Sequence, residues 1–186
     1  MRPGEDELRS GGNWLAGEDW TRLWESFQHI AFRLETLPEY RVAAERGRME
    51  LFLSGAPKPP GYGEGWHKRL REYRETGKHV RRVRVVGPEL TDYQRREFAW
   101  AYPGNAEAGE EIRVLREEQA RALTLPDQDF WLFDDQTVVL MRYEADGTQL
   151  GRERLIEAEP DLYARYGRTA WEAAVGLDEF AESLAD

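Results

Sequence analysis

Four aspartates in a short stretch form the densest group of side chains that could do chemistry. Asp127, Asp129, Asp134 and Asp135 surround an apolar run in the second half of the chain. Neighbouring carboxylates can hold a divalent cation or serve as general acid and base, so a metal-assisted hydrolase is one candidate function. Asp is also common in turns, and the chain contains no G-x-S-x-G, H-E-x-x-H or EF-hand pattern. We therefore assign no catalytic residue, no metal site and no cofactor.

The second group of candidates comes from an uneven distribution of charge. Residues 66–96 hold ten basic and four acidic side chains, whereas residues 127–186 hold five basic and fifteen acidic ones. A basic patch can bind an acidic partner or nucleic acid. The simpler interpretation is that the basic segment pairs with the acidic end of the chain or is solvated. Because the formal net charge of the chain is -10, we do not expect it to bind nucleic acid directly.

Residues at the end of the basic segment and just after it could instead line a ligand pocket, together with residues near Asp129 to Asp135. Tyr93, Arg96 and Glu97 follow a predicted strand, and ligands of α/β proteins bind at the carboxyl ends of parallel strands. This placement would suit a small-ligand sensor. The candidate ligand or partner contacts are then Arg81, Arg82, Arg84, Tyr93, Arg96, Glu97, Asp129, Asp134 and Asp135.

Hydrophobic periodicity predicts the elements that must position these residues. Apolar side chains spaced by three and four over residues 20–30 predict a helix, and residues 31–37 predict a short strand. Residues 79–86 and 110–115 predict two further strands, and the capping-box sequence T-D-Y-Q begins a helix between them. A strand, helix and strand in that order predict two parallel strands.

The second half of the chain adds antiparallel strands. Residues 130–133 and 138–143 are apolar runs joined by a polar turn, which predicts a hairpin, and a further strand is expected near residues 149–155. We predict one α/β domain over residues 14–186, with a mixed, partly parallel sheet of about five strands flanked by about five helices. A flexible arm, residues 1–13, precedes the domain.

Composition limits the compartment. The chain has 186 residues, 12% of them aromatic, which suits a globular domain with a packed core. It contains no cysteine, so disulfides and thiolate metal sites are excluded. It has no apolar run of about 18 residues and its first ten residues are polar, so we expect neither a membrane span nor a secretory signal. The expected location is the cytoplasm.

Five stretches of the sequence carry a resemblance to a known family. They are AFRLETLPEY (31–40), VRRVRVV (80–86), LTDYQRREF (90–98), GEEIRVL (109–115) and DFWLFDD (129–135). In these stretches, the chain resembles an uncharacterised actinobacterial family encoded beside Xre-type helix-turn-helix regulators. The resemblance implies a regulatory locus and such a regulator as partner. It favours a non-enzymatic regulatory interaction module, with a small-ligand sensor or a hydrolase as alternatives.

The order of elements is also similar to a phospholipase-D-like half-domain. That superfamily uses the pattern H-x-K-x-x-x-x-D, in which the His is the nucleophile. Aligning its Asp with Asp134 puts Asp127 and Asp129 at the His and Lys places, and shifting by one residue puts Gln128 and Phe130 there. Neither alignment supplies a nucleophile. The resemblance therefore implies a noncatalytic member of that fold.

Overall fold

The computed structural model describes residues 12–42, 45–156 and 159–184. Its strands are β1 (Ile30–Glu35), β2 (His79–Val86), β3 (Glu110–Arg116), β4 (Phe130–Phe133), β5 (Thr137–Tyr143), β6 (Gln149–Arg154) and β7 (Val175–Gly176). They form one sheet in the order β6-β5-β4-β1-β2-β3-β7. The strands β1, β2 and β3 are mutually parallel, whereas β4, β5, β6 and β7 pair antiparallel with their neighbours. The predicted α/β class with a mixed, partly parallel sheet is confirmed.

Helices cover both faces of this sheet. They are α1 (Gly17–Ser26), α2 (Arg46–Leu53), α3 (Glu64–Glu75), α4 (Asp92–Arg96), α5 (Tyr102–Ala108), α6 (Glu117–Ala122), α7 (Pro160–Ala173) and α8 (Leu177–Ser183). A π-helical turn, Glu97–Ala101, joins α4 to α5. The predicted capping box is present, because the Thr91 side chain accepts the Gln94 backbone N–H and the Gln94 side chain accepts the Thr91 N–H. This cap begins α4 at the end of β2.

The first helix is shorter than the sequence pattern predicts. Apolar spacing predicts helix through residue 30, but α1 ends at Ser26 and Ile30 begins β1. The Asp134 carboxylate accepts the backbone N–H groups of Gln28, His29 and Ile30 at 2.7, 2.7 and 2.9 Å. These three N–H groups are thereby drawn away from helical hydrogen bonding. The contact with Asp134, which follows the neighbouring strand β4, thus decides where α1 ends.

The predicted hairpins are formed. The β4–β5 turn places Asp134 and Asp135 at φ values of 52° and 55°. Asp is one of the few residues that tolerate this left-handed conformation. The sheet has seven strands where about five were predicted, and β7 contains only two residues, too few for a hydrophobic period.

The predicted N-terminal arm, residues 1–13, lies outside the described residues up to residue 11. Next to it, the Asn13 carbonyl accepts the backbone N–H of Arg154 at 2.7 Å, and Leu15 donates to the Arg152 carbonyl at 2.7 Å. Residues 13–15 therefore run along the free edge of β6.

The two faces of the sheet have different interiors. On one face α6 and α7 cover a continuous apolar cluster that includes Phe32, Leu34 and Val83. On the other face α1 and α3 cover an aromatic cluster around Trp24. Toward the carboxyl ends of β1 and β2, the same face carries buried charged side chains and a small apolar cluster of Val86, Val114 and Phe180.

Candidate functional site

Charged residues alternate with apolar ones along β1 and β2. Because neighbouring side chains of a strand point to opposite faces, Arg33 and Glu35 share one face of β1, and Arg82 and Arg84 share the same face of β2. The parallel register sets Arg33 beside Arg82 and Glu35 beside Arg84. Side-chain exposure is 12% for Arg82 and 0% for Arg84. Buried guanidinium groups require carboxylate partners, and the fold supplies them.

Glu35 lies at the centre of these arginines. Its carboxylate accepts hydrogen bonds from Arg82 Nη1, from Arg33 Nε at 3.4 Å and from the Tyr102 hydroxyl at 3.4 Å. Burial opposes ionisation of Glu35, but the positive charges of Arg82, Arg33 and Arg84 outweigh it and lower the pKa to about 2. Glu35 is therefore ionised in the folded protein at any ordinary pH.

Asp129 has four hydrogen-bond donors. It precedes β4, which runs antiparallel to β1, so it lies beside the end of β1. Arg33 Nη2 donates to it at 2.8 Å, the Tyr40 hydroxyl at 2.6 Å, and the backbone N–H and hydroxyl of Thr36 at 2.8 Å each. A carboxylate has about four acceptor positions. Asp129 is therefore fully occupied by protein groups and holds the β1–β4 corner together.

Glu110 extends the network toward α3. It accepts hydrogen bonds from Arg82 Nε at 2.7 Å, Asn105 Nδ2 at 2.8 Å and Trp66 Nε1 at 3.2 Å. Asn105 Oδ1 in turn lies 3.1 Å from Nε2 of His67. One chain of hydrogen bonds thus connects α3 with the middle of the sheet.

Glu97 has the least satisfied carboxylate of the network. It is the first residue of the π-helical turn, and its Oε2 lies 3.3 Å from Nε of Arg84. The angles do not allow a hydrogen bond, so neither atom has a hydrogen-bond partner among the described residues. Burial raises the pKa of Glu97 to about 7, because the charge of Arg84 offsets only part of the desolvation and Glu35 repels the ionised form.

The network has an excess of acid. Three guanidinium groups face four carboxyl groups, so the cluster would carry one net negative charge if every group were ionised. A proton on Glu97 makes it neutral, which agrees with the raised pKa of this residue. The members of this buried charge network are Arg33, Arg82, Arg84, Glu35, Glu97, Glu110 and Asp129.

A second, outer cluster joins the charge network to α2. Arg96 donates to Glu45 Oε2 and to the Tyr62 hydroxyl, both at 2.7 Å, and its guanidinium lies 4.9 Å from the ring centroid of Tyr93. The Tyr93 hydroxyl donates to Glu45 at 3.4 Å. The structure therefore brings Tyr93, Arg96 and Glu97 together beside Arg84, near the carboxyl end of β2.

All residues of this site lie in the part of the chain that matches a known family. A family model for a domain of unknown function, DUF6879, matches residues 18–182. The chain belongs to the DUF6879 family. The match spans every member of the buried charge network, so this network lies in the DUF6879 domain itself. No curated protein matches the chain.

Other predicted residues of the DUF6879 domain lie apart from this site. Arg81 points to the opposite face of the sheet, where it pairs with Glu111 at 3.0 Å and lies 4.9 Å from the ring centroid of Trp171. The Asp134 carboxylate accepts hydrogen bonds from three backbone N–H groups at and just ahead of the start of β1. Burial acts to raise the pKa of Asp134, but these donors outweigh it and lower the pKa. Asp135 occupies the same β4–β5 turn as Asp134 and is exposed.

The structure does not assemble the four aspartates into a metal centre. Asp129 and Asp134 are occupied by protein donors, as described above, and Asp127 is exposed. Within residues 12–42, 45–156 and 159–184 there is no group of three His, Asp or Glu side chains placed to hold a metal ion. In the same ranges no helix is long and apolar enough to cross a bilayer.

The basic segment does not pair with the acidic end of the chain in the way we expected. Arg82 contacts Glu35 and Glu110, and Arg84 contacts Glu97, all within residues 35–111. The expectation considered only the charge totals of two segments. The strand alternation decides the pairing, because it turns these arginines inward.

Sequence reasoning missed three of the seven members of the charge network. Arg33, Glu35 and Glu110 were not candidates, and neither were the tyrosines Tyr40 and Tyr102 that donate to it. A signal was available, because charged residues occupy alternate positions of strands whose other positions are apolar. In a central parallel strand such alternation indicates buried ion pairs.

Proposed function

We propose that this DUF6879 domain is a non-enzymatic regulatory interaction module that acts in the cytoplasm with a helix-turn-helix transcription regulator. The observation that carries the proposal is α2, which leaves Leu51 and Leu53 exposed by 44% and 60%. None of the eight residues of α2 is buried. Exposed large apolar side chains grouped on one element mark interaction surfaces.

The chemistry around these leucines indicates the kind of partner surface. Arg46 and Arg48 are exposed on the same helix, and Val42 is exposed just ahead of it. The α2 surface, defined as Val42, Arg46, Arg48, Leu51 and Leu53, therefore combines exposed apolar and basic side chains, with Glu50 also exposed among them. It is suited to an apolar partner surface edged by carboxylates.

A non-enzymatic role is supported by how the polar groups are used. The carboxylates that could do acid-base or metal chemistry bind arginines and backbone N–H groups inside the fold, as Asp129 and Asp134 do. The partner class rests on the family resemblance of the sequence, and a noncatalytic phospholipase-D-like fold would suit the same role.

The test measures binding to the helix-turn-helix regulator encoded beside the gene. Both purified proteins would be mixed in biolayer interferometry, with Leu51→Glu/Leu53→Glu as the test variant. We expect the affinity to fall by at least about tenfold, or about 1.4 kcal/mol. The matched control is Leu123→Glu, at a leucine exposed by 39% after α6. Absence of a complex, or equal loss in both variants, would contradict the proposal.

A small-ligand sensor is the second candidate, favoured by one specific observation. Nε of Arg84, Nε of Arg96 and Oε2 of Glu97 are all buried without a hydrogen-bond partner among the described residues. Such unsatisfied groups are uncommon and can mark a place for a bound molecule or water. A thermal-shift screen of small carboxylates and phosphates tests it, with Arg96→Lys as the variant that should lose the response. A screen without any stabilising compound would contradict a sensor of anions.

A further inference from the structure

The π-helical turn connects the buried charge network with two surface helices, α2 and α8. Glu97 points into the network, while Phe98 packs on Phe180 of α8 with ring centroids 5.2 Å apart. Trp100, three residues after Glu97, packs on Phe52 of α2 at 5.3 Å. A π-helical turn within an α-helix is an uncommon arrangement that often occurs at functional positions. A change in the position of Glu97 is therefore passed directly to α2.

The groups around Glu97 do not favour its charge. Two arginines favour its charge and two carboxylates oppose it, and the remaining neighbours are tyrosines, whose own pKa values burial raises. Burial raises the pKa of Glu97 to about 7, although Arg84 acts in the other direction. The groups that face Glu97 are Arg82 and Arg84 of β2, Glu35 of β1, Glu45 ahead of α2, Tyr62 ahead of α3, Tyr93 of α4 and Tyr102 of α5.

Arg84 cannot move to neutralise an ionised Glu97 without losing other bonds. Its Nη1 donates to the Leu37 carbonyl at 2.7 Å and to the Tyr40 hydroxyl at 3.3 Å, and its side chain is completely buried. A newly formed carboxylate must then gain water, since its Oε2 has no donor in place.

We propose that Glu97 is a proton-controlled switch that sets the position of the π-helical turn and, through Trp100 and Phe52, the arrangement of the α2 surface. In the protonated state the network is neutral, and the turn packs on α2 through Trp100 and on α8 through Phe98. When Glu97 releases its proton to solvent water, the turn moves outward and α2 repacks. The switch is a property of the isolated domain. Only its use to regulate a partner rests on the proposed function.

The test is an NMR titration of the isolated full chain from about pH 5 to about pH 9. The observed signals are the Trp100 indole N–H and the backbone amides of α2. In the wild type we expect one shared transition near pH 7, where the Glu97 carboxyl titrates. Glu97→Gln should remove this transition, because the amide keeps the shape of the neutral acid and cannot ionise. Glu50→Gln, a matched change at an exposed carboxylate of α2 that does not face Glu97, should retain it.

Two results would overturn the switch. One is a wild type whose α2 and Trp100 signals do not move over this range, and the other is a transition that persists in Glu97→Gln, which would assign it to a histidine. If Glu97→Gln does not fold, the side-chain carboxyl ¹³C signal of Glu97 in the wild type still decides the matter. A carboxyl that titrates near its ordinary value would contradict the proposal. Because no partner is present, these outcomes are independent of the regulator-binding test.

Discussion

The aromatic cluster around Trp24 and the buried charge network around Glu35 lie side by side on one face of the sheet, and different interactions stabilise them. Around Trp24, aromatic rings pack edge to face, with Trp131 and Phe133 at centroid distances of 4.8 and 5.1 Å. Around Glu35, each group needs a partner of opposite charge at hydrogen-bond distance. Trp131 borders both regions, because the Arg33 guanidinium lies 5.6 Å from its ring centroid.

The two regions therefore differ in the substitutions that they tolerate. Apolar packing has no direction, so a similar side chain can replace a lost one at modest cost. A buried charge network fails when one partner is removed, because an unpaired charge remains in a place without water. The aromatic region should therefore respond to volume and be indifferent to pH, and the charge network should respond to pH and to charge.

The largest expected effect is in the aromatic region. Trp24→Ala removes a side chain that contacts six other aromatic rings. We expect a loss of about 4 to 5 kcal/mol in the free energy of unfolding. Urea denaturation at several pH values measures it. The loss should be the same at mildly acidic and neutral pH. A pH-dependent loss would show that the two regions are coupled.

The next effect is in the charge network. Arg84→Met keeps the length of the side chain and leaves four carboxyl groups with two guanidiniums, so we expect a loss of about 3 to 4 kcal/mol at neutral pH. Arg81→Met on the opposite face removes a partly exposed pair with Glu111 and should cost about 1 kcal/mol or less. Equal losses in the two variants would show that burial does not distinguish these arginines.

Glu97 should make the stability of the charge network depend on pH. Its folded pKa of about 7 lies above its ordinary value of 4.5, so between these values the folded state binds more protons than the unfolded state. Stability contributed by the protonated group is therefore lost as the pH rises through this window, by about 3 kcal/mol at most. Glu97→Gln should remove this slope and be more stable than the wild type above pH 7. Urea midpoints at matched ionic strength measure it, and a wild type with no such slope would contradict it.

The smallest effect concerns a carboxylate held by backbone groups instead of arginines. Asp134→Asn keeps a residue that tolerates positive φ but replaces a charged acceptor of three N–H groups, so we expect a loss of about 1 kcal/mol. Asp135→Asn, in the same turn, is the control and should be neutral. Thermal melts of both variants decide this, and matching midpoints would mean that Asp134 does not anchor the start of β1.

Local pattern alone determined much of the framework. The alternation of valine with arginine specified β2, the two apolar runs specified the β4–β5 hairpin, and the capping box of Thr91 specified the start of α4. These features depend on residues near one another in the chain, where periodicity and capping act directly. The candidate site was predicted in part, because Tyr93, Arg96 and Glu97 share one short segment.

Only the tertiary structure decided the rest. The end of α1 depends on Asp134, more than a hundred residues away, and the burial of Arg33 and Glu35 depends on Asp129 and β2. The π-helical turn and the raised pKa of Glu97 depend on which charges the fold places around one carboxyl group. A charged residue in a strand can face water or an ion pair, and the local sequence is the same in both cases. The choice is made by desolvation and partner geometry, which exist only once distant segments have come together.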